Sequence, residues 1–273
     1  MRQTTPMLFR RLFLCALFVG LLTGLFDSAV QRWQVVPLIL AAEVFEKAAT
    51  PPKAEHAHAD GAAHSHGPQA WAPQDGLERT AYTVLANVLN AIGSALLLMP
   101  LLAFWNRQRA GQPLALHKGY GASVRYGLLW GAAGWVCLFA LPALGLPPEL
   151  PGMQAAALQA RQVWWTLTVA CGAGGLTMLC LVQAKWRVLG LGLLALPFVI
   201  GAPQHAGSPF SGMEADVALQ MQQLVARFVV ATAVASALQW LLLGTLSALA
   251  VARWLSPLLN PVAPATRLEG TAS

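Results

Sequence analysis

The sequence predicts an all-α integral membrane protein, a polytopic bundle of about six transmembrane helices. Three observations carry that expectation. The chain has 273 residues, 56% hydrophobic and only 10% charged, against about 25% charged in an ordinary soluble domain. Apolar runs of 18 or more residues recur along it, and each is long enough to cross a bilayer as a helix. The 17 Lys and Arg residues distribute unevenly among the segments between those runs, as they do in membrane proteins.

The first segment, 8–30, begins with Arg10 and Arg11 and then runs apolar to Phe26. It is long and no clear Ala-x-Ala follows, so it reads as an uncleaved span and not a signal peptide. Gly20 and Gly24 offer a surface for close helix contact, and Asp27 and Gln31 continue that face at helical spacing. A carboxylate at this depth either faces protein or water, or sits at the span's interfacial end.

Residues 43–75 form a His-rich loop. His56-Ala-His58 and His64-Ser-His66 lie five residues apart, with Gly61 between them. In extended backbone, residues two apart point the same way, so each pair offers both imidazoles to one ion. The glycine lets the pairs fold together into as many as four nitrogen ligands. Imidazole suits Zn, Cu, Ni, Fe and Co, and does not suit Mg or Ca. Glu43, Glu46, Glu55, Asp60, Asp75 and Glu78 surround the pairs. A solvated low-complexity spacer is the bland alternative.

The second run, 80–105, begins just after Arg79 and carries no charge, yet Thr80, Thr83, Asn87, Asn90 and Ser94 recur at spacings of 3, 4, 3 and 4. They share one stripe of one helix. Lipid cannot satisfy amide side chains, so the stripe lines a wet path or binds neighbouring helices. Further spans are expected at 126–146, 163–183, 186–203 and 224–252. Trp164 and Trp165 read as an interfacial belt at the start of the fourth. Segment 186–203 is short and holds Pro197; if it is re-entrant, the count falls to five. Gly244, Ala248 and Ala252 offer a small-residue face, and residues 257–273 read as a disordered tail.

Six spans divide the basic residues into eleven on one side, among them Arg107, Arg109, Lys185 and Arg187, and six on the other. The eleven belong inside, which places both termini in the cytoplasm and the His-rich loop outside. Ten of the eleven carboxylates fall outside, leaving that face at −4 and the inner face at +10, which accounts for the net +6. A negative entrance concentrates cations, and the inner basic charge calls for no nucleic acid. Glu149, stiffened among prolines in Leu146-Pro-Pro-Glu-Leu-Pro-Gly152, and His205, just past the fifth segment, are outer-side candidates for metal ligands or plain solvated loop residues.

Several classes are excluded or disfavoured. There is no Gly-x-x-x-x-Gly-Lys, Gly-x-Ser-x-Gly, His-Glu-x-x-His or Cys-x-x-Cys-His, so neither P-loop hydrolysis nor a familiar enzyme site is expected. Cys15, Cys137, Cys171 and Cys180 all fall within predicted spans and read as packing residues. No prosthetic group is expected.

Several blocks resemble a known family. They are Gln34-Val-Val-Pro-Leu-Ile39, Ala42-Glu43, Asp75-Gly-Leu-Glu-Arg-Thr80 with Tyr82 and Leu85-Ala-Asn87, Pro142 to Gly152, Arg161-Gln-Val-Trp-Trp165, and Gly201-Ala-Pro203. Together they make the chain similar to the CbtA-type cobalt transporter subunit, a multi-span protein of the bacterial cytoplasmic membrane. Where that family commonly carries a histidine near the end of the fifth span, this chain has Phe198 and Gln204, with His205 next in line. The resemblance implies uptake of cobalt for cobalamin synthesis, beside a small single-span His-rich subunit of the CbtB type. On this reading the loop histidines, Glu43, Glu149 and His205 handle Co, or else Ni or Zn, and Thr83, Asn87 and Asn90 line its path, in a homo- or hetero-oligomer. The alternative is a membrane assembly protein that holds metal outside without moving it.

Overall fold

The computed structural model describes residues 4–49, 73–108 and 119–259. All regular structure among them is helical. The four histidines of the predicted capture loop, with Glu55 and Asp60, lie outside the described residues.

Five helical stretches are long and apolar enough to cross a membrane: Met7–Gln34, Leu77–Gln108, Tyr120–Gly145, Leu158–Leu181 and Ala215–Leu259. Their surfaces invert the pattern of a soluble protein. Phe9 and Leu97 are 70% and 69% exposed, while Asp27, Asn106, Thr168 and Gln239 are buried. Apolar surface on this scale is stable only against lipid, and the chain is a polytopic helical membrane protein.

α1 (Thr4–Gln34) is followed, after Val35 alone, by α2 (Val36–Ala49), a helix the hydropathy pattern does not single out. Pro37 makes the break: it has no N–H to give and its ring crowds the carbonyl one turn earlier. α3 (Leu77–Gln108) continues past its apolar run into Trp105-Asn-Arg-Gln108. α4 (Tyr120–Trp135) passes through a π-turn, Val136–Ala140, into α5 (Leu141–Gly145). Pro142 causes that widening, because the α-helical bond it would donate is missing and the ladder resets. Pro257 has the same effect below α8 (Ala215–Ala250), where a π-turn, Val251–Leu255, leads into α9 (Ser256–Leu259). There the Ser256 hydroxyl donates to the Val251 carbonyl at 3.1 Å and accepts from the buried Asn106 amide at 2.8 Å.

The chain divides into two compact units, and α1, α3, α4 and α8 each contribute to both. The first comprises Met1–Gly24, Val88–Ala132 and Trp240–Ser273. Its core joins Ala16 and Val19 to Ala95, Met99 and Leu102, and to Leu243, Val251 and Leu255. Glycines set its helix spacings: a Cβ on Gly20 would lie 2.5 Å from the Ile92 backbone, and one on Gly244 would lie 2.2 Å from the Gly127 carbonyl oxygen.

The second unit comprises Leu25–Asn87 and Ala133–Gln239. Its core gathers Val35, Ala42, Leu150, Met221, Phe228 and Ala235. Here α7 (Arg187–Ile200) packs on α6 (Leu158–Leu181). The two run antiparallel, with Gly175 against Gly190 near one end and the Trp164 indole N–H donating to the Pro197 carbonyl at 3.1 Å near the other. α7 has 14 residues, about 21 Å of helix against a hydrocarbon core of about 30 Å. Its companion Trp164 is not the interfacial residue its position indicates. It is 4% exposed, seated where Gly145 leaves no side chain in its way and edge-on to Phe198 at 6.0 Å. Trp165, next to it, is 41% exposed.

Candidate functional site

Three groups of polar residues stand out among the described residues. The first ties α2 to the start of α3, the elements that flank residues 50–72. Arg79 grips Glu43 with both arms of its guanidinium: Nη1 meets Oε2 at 3.0 Å, and Nη2 meets Oε1. Nη1 also reaches Asp75 Oδ1, one turn back, at 3.1 Å. Bidentate pairing of this kind is directional as well as electrostatic. Glu43 is thus an anchor for α3, and it would have to give up Arg79 to take a metal ion. Nearby, the Gln74 backbone N–H donates to Glu78 Oε2 at 3.2 Å.

The second group lies on the segment between α5 and α6. Leu150 is buried in the core, its N–H donating to Met153 Sδ at 3.4 Å, and Gly152 turns the chain at φ 83°. With the prolines on either side, these anchors aim Glu149 at Arg161 of α6, whose Nη2 stands 2.9 Å from Oε2. Arg161 also lines an open groove of about 580 Å³ with Leu138, Phe139, Pro142, Pro147 and Trp165. His205 follows Gly201, where φ is 87°, and is half-buried.

The third group is within the spans. On α1, Ala16, Val19, Gly20, Thr23, Gly24, Asp27 and Ser28 form one buried face, and it changes from apolar to polar toward the helix's end. Gln31 Nε2 donates to Asp27 Oδ2 at 2.8 Å, and Asn87 Nδ2 on α3 donates to Ser28 Oγ at 3.2 Å. Asn87 therefore meets protein. Thr83 is half-buried and its hydroxyl returns to the Arg79 carbonyl at 2.8 Å, whereas Asn90 is exposed. The predicted stripe is not uniform in its surroundings.

Among the described residues, no group of three or more His, Cys, Asp or Glu could hold a metal ion. The structure does not bring Glu43, Glu149 and His205 into one cluster. Three partners escaped sequence reasoning. The sequence marks Arg79 and Arg161 as charges and as members of the family blocks, not as partners of Glu43 and Glu149, although Arg79 sits at helical spacing from Asp75. Ser28 carried no signal, since its meaning depends on Asn87, 59 residues away.

Residues 9–252 match the family described as "Probable cobalt transporter subunit (CbtA)". The chain belongs to the CbtA family. The match covers α1 from residue 9 and all of α2 to α8, and includes both anchored carboxylates, the α1–α3 polar contact and the α6–α7 pair. No curated protein and no solved structure matches this CbtA chain.

Proposed function

We propose that this CbtA chain is the membrane-embedded subunit of an uptake system for divalent transition-metal ions, with cobalt for cobalamin synthesis as its cargo. The family membership over residues 9–252 carries the reading. The chain lies in the bacterial cytoplasmic membrane with both termini inside. His56, His58, His64 and His66 capture the ion at the negative outer face. Glu149 and His205 receive it there, with Glu43 available when Arg79 lets go. Thr83, Asn87 and Asn90 then line part of the way inward. A divalent cation gains about 2.3 kcal/mol per charge for each 100 mV of inside-negative potential, so entry needs no nucleotide hydrolysis.

The word subunit in the family description supports a partner, for which we propose a small single-span His-rich protein of the CbtB type. Asn90 supports an assembly from a different direction. Its amide lies on the exposed side of α3, where hydrocarbon would leave it unsatisfied, and a second copy or the partner's span would cover it.

One observation favours the alternative, a membrane metal-holding or assembly protein that moves nothing: Asn87 is bonded to Ser28, as a purely packing residue would be. Uptake of radiolabelled cobalt by cells with and without the chain decides between the two, and Asn87→Leu sharpens the decision. Loss of one interhelical hydrogen bond in a membrane costs about 0.6 kcal/mol, too little to prevent insertion. We expect Asn87→Leu to abolish uptake at normal protein levels. Normal uptake by a well-expressed Asn87→Leu/Asn90→Leu variant would remove the stripe from the mechanism.

A further inference from the structure

Asp27 is the one carboxylate buried within a membrane span among the described residues. It sits in the apolar stretch Met7–Gln34, 2% exposed. Its two oxygens are treated differently. Oδ2 accepts from the Gln31 amide at 2.8 Å, while Oδ1 is buried with no hydrogen-bond partner. No basic side chain pairs with Asp27 among the described residues. A buried carboxylate with one oxygen unmet is strongly unfavourable, and membrane proteins keep such groups where they bind something. The next residue on α1, Ser28, is also buried and accepts a hydrogen bond from Asn87 at 3.2 Å, so a hydroxyl and a carboxamide lie one residue along the helix from the carboxylate.

We propose that Asp27 is a transit site for a divalent cation, held through oxygen on Asp27 Oδ1, with retained water and the oxygens of Ser28 and Asn87 as further donors. The cargo is taken from the uptake reading above, on which this inference rests. One carboxylate and neutral oxygens leave a divalent ion only partly neutralised. That makes the site weak, and a station on a path must release what it binds. The lack of histidine and thiolate follows the same logic: soft or nitrogen-rich ligand sets select transition metals tightly, which suits capture by the loop and not passage. Gln31 is a positioning residue, since its amide occupies Oδ2 and leaves Oδ1 for the ion.

The test uses the full chain in lipid nanodiscs with His56, His58, His64 and His66 replaced by alanine, so that loop capture does not obscure a weaker site. Cobalt chloride is titrated by equilibrium dialysis. We expect about one ion bound per chain, with the dissociation constant raised at least about tenfold by Asp27→Asn and less by Asp27→Glu. Size-exclusion elution and helical circular dichroism check each variant's fold. If Asp27→Asn does not fold, Ser28→Ala provides the second arm, with weakened binding expected. Binding unchanged by Asp27→Asn or, where that variant does not fold, by Ser28→Ala, or no binding at all in the loop-substituted chain, overturns the site. Flux of radiolabelled cobalt into cells, which supply the partner subunit, separates this inference from its foundation. Unchanged flux and binding in Asp27→Asn would sink the transit site and leave uptake standing. Asp27-dependent binding in a wild-type chain without flux would sink uptake and leave the site standing.

Discussion

In the first unit the main chains of α8 and α4 approach closely at Gly244, Gly127 and Gly131, and a single methyl group tests that contact. A Cβ added at Gly244 would stand 2.2 Å from the Gly127 carbonyl oxygen and 2.7 Å from both N and Cα of Gly131. Ordinary contact begins near 3.4 Å, so the shortfall is about 1.2 Å. The obstacle is main chain on both counts, and no side-chain rotation relieves it. The two helices must part locally, losing the dispersion contacts that hold membrane helices together. Overpacking of this kind costs about 1–3 kcal/mol, equivalent to roughly 5- to 150-fold in the folding equilibrium. Gly192 is the control, because a Cβ there meets nothing within 4 Å, and Gly192→Ala should change stability by less than about 0.5 kcal/mol. Reversible unfolding in mixed micelles, followed by tryptophan fluorescence, measures both. If Gly244→Ala is as stable as Gly192→Ala, close packing of these glycines does not hold the helices together.

Two further outcomes are expected. Reporter fusions after Arg109 and after Lys185 should read cytoplasmic, and those near Ala62 and Gly212 external; a cytoplasmic reading near Gly212 would mean that the short α7 does not complete a crossing. Alanine at His56, His58, His64 and His66 together should raise the half-saturation for cobalt uptake while leaving the maximal rate near normal, as expected of a loop that only concentrates ions. A large fall in maximal rate at normal protein levels would instead place the histidines in the translocation step.

The helical membrane class was legible in the sequence because hydrocarbon leaves a spanning chain few choices. Long uncharged runs must satisfy their own backbone hydrogen bonds, and among apolar segments of this length helices do so locally. The close-contact role of Gly20 was legible for a similar reason, since Gly20-x-x-x-Gly24 lies on one face whatever it meets. What each face meets was not. Asp27 stood between an interfacial place and a protein-facing one, and only the fold buries it beside the Ser28–Asn87 contact. Glu43 and Glu149 looked equally available until Arg79 and Arg161, 36 and 12 residues further on, closed on them. Trp164 and Trp165 are adjacent and chemically identical, yet one is buried against α7 and the other faces outward. α2 was hidden because its turn-by-turn apolar content matches a buried loop segment as well as a helix, and its packing into the core with Leu150 and Met221 decides the matter. Periodicity along one chain specifies which residues share a face. The partner of that face is a through-space relation between distant segments, and only the packed tertiary structure contains it.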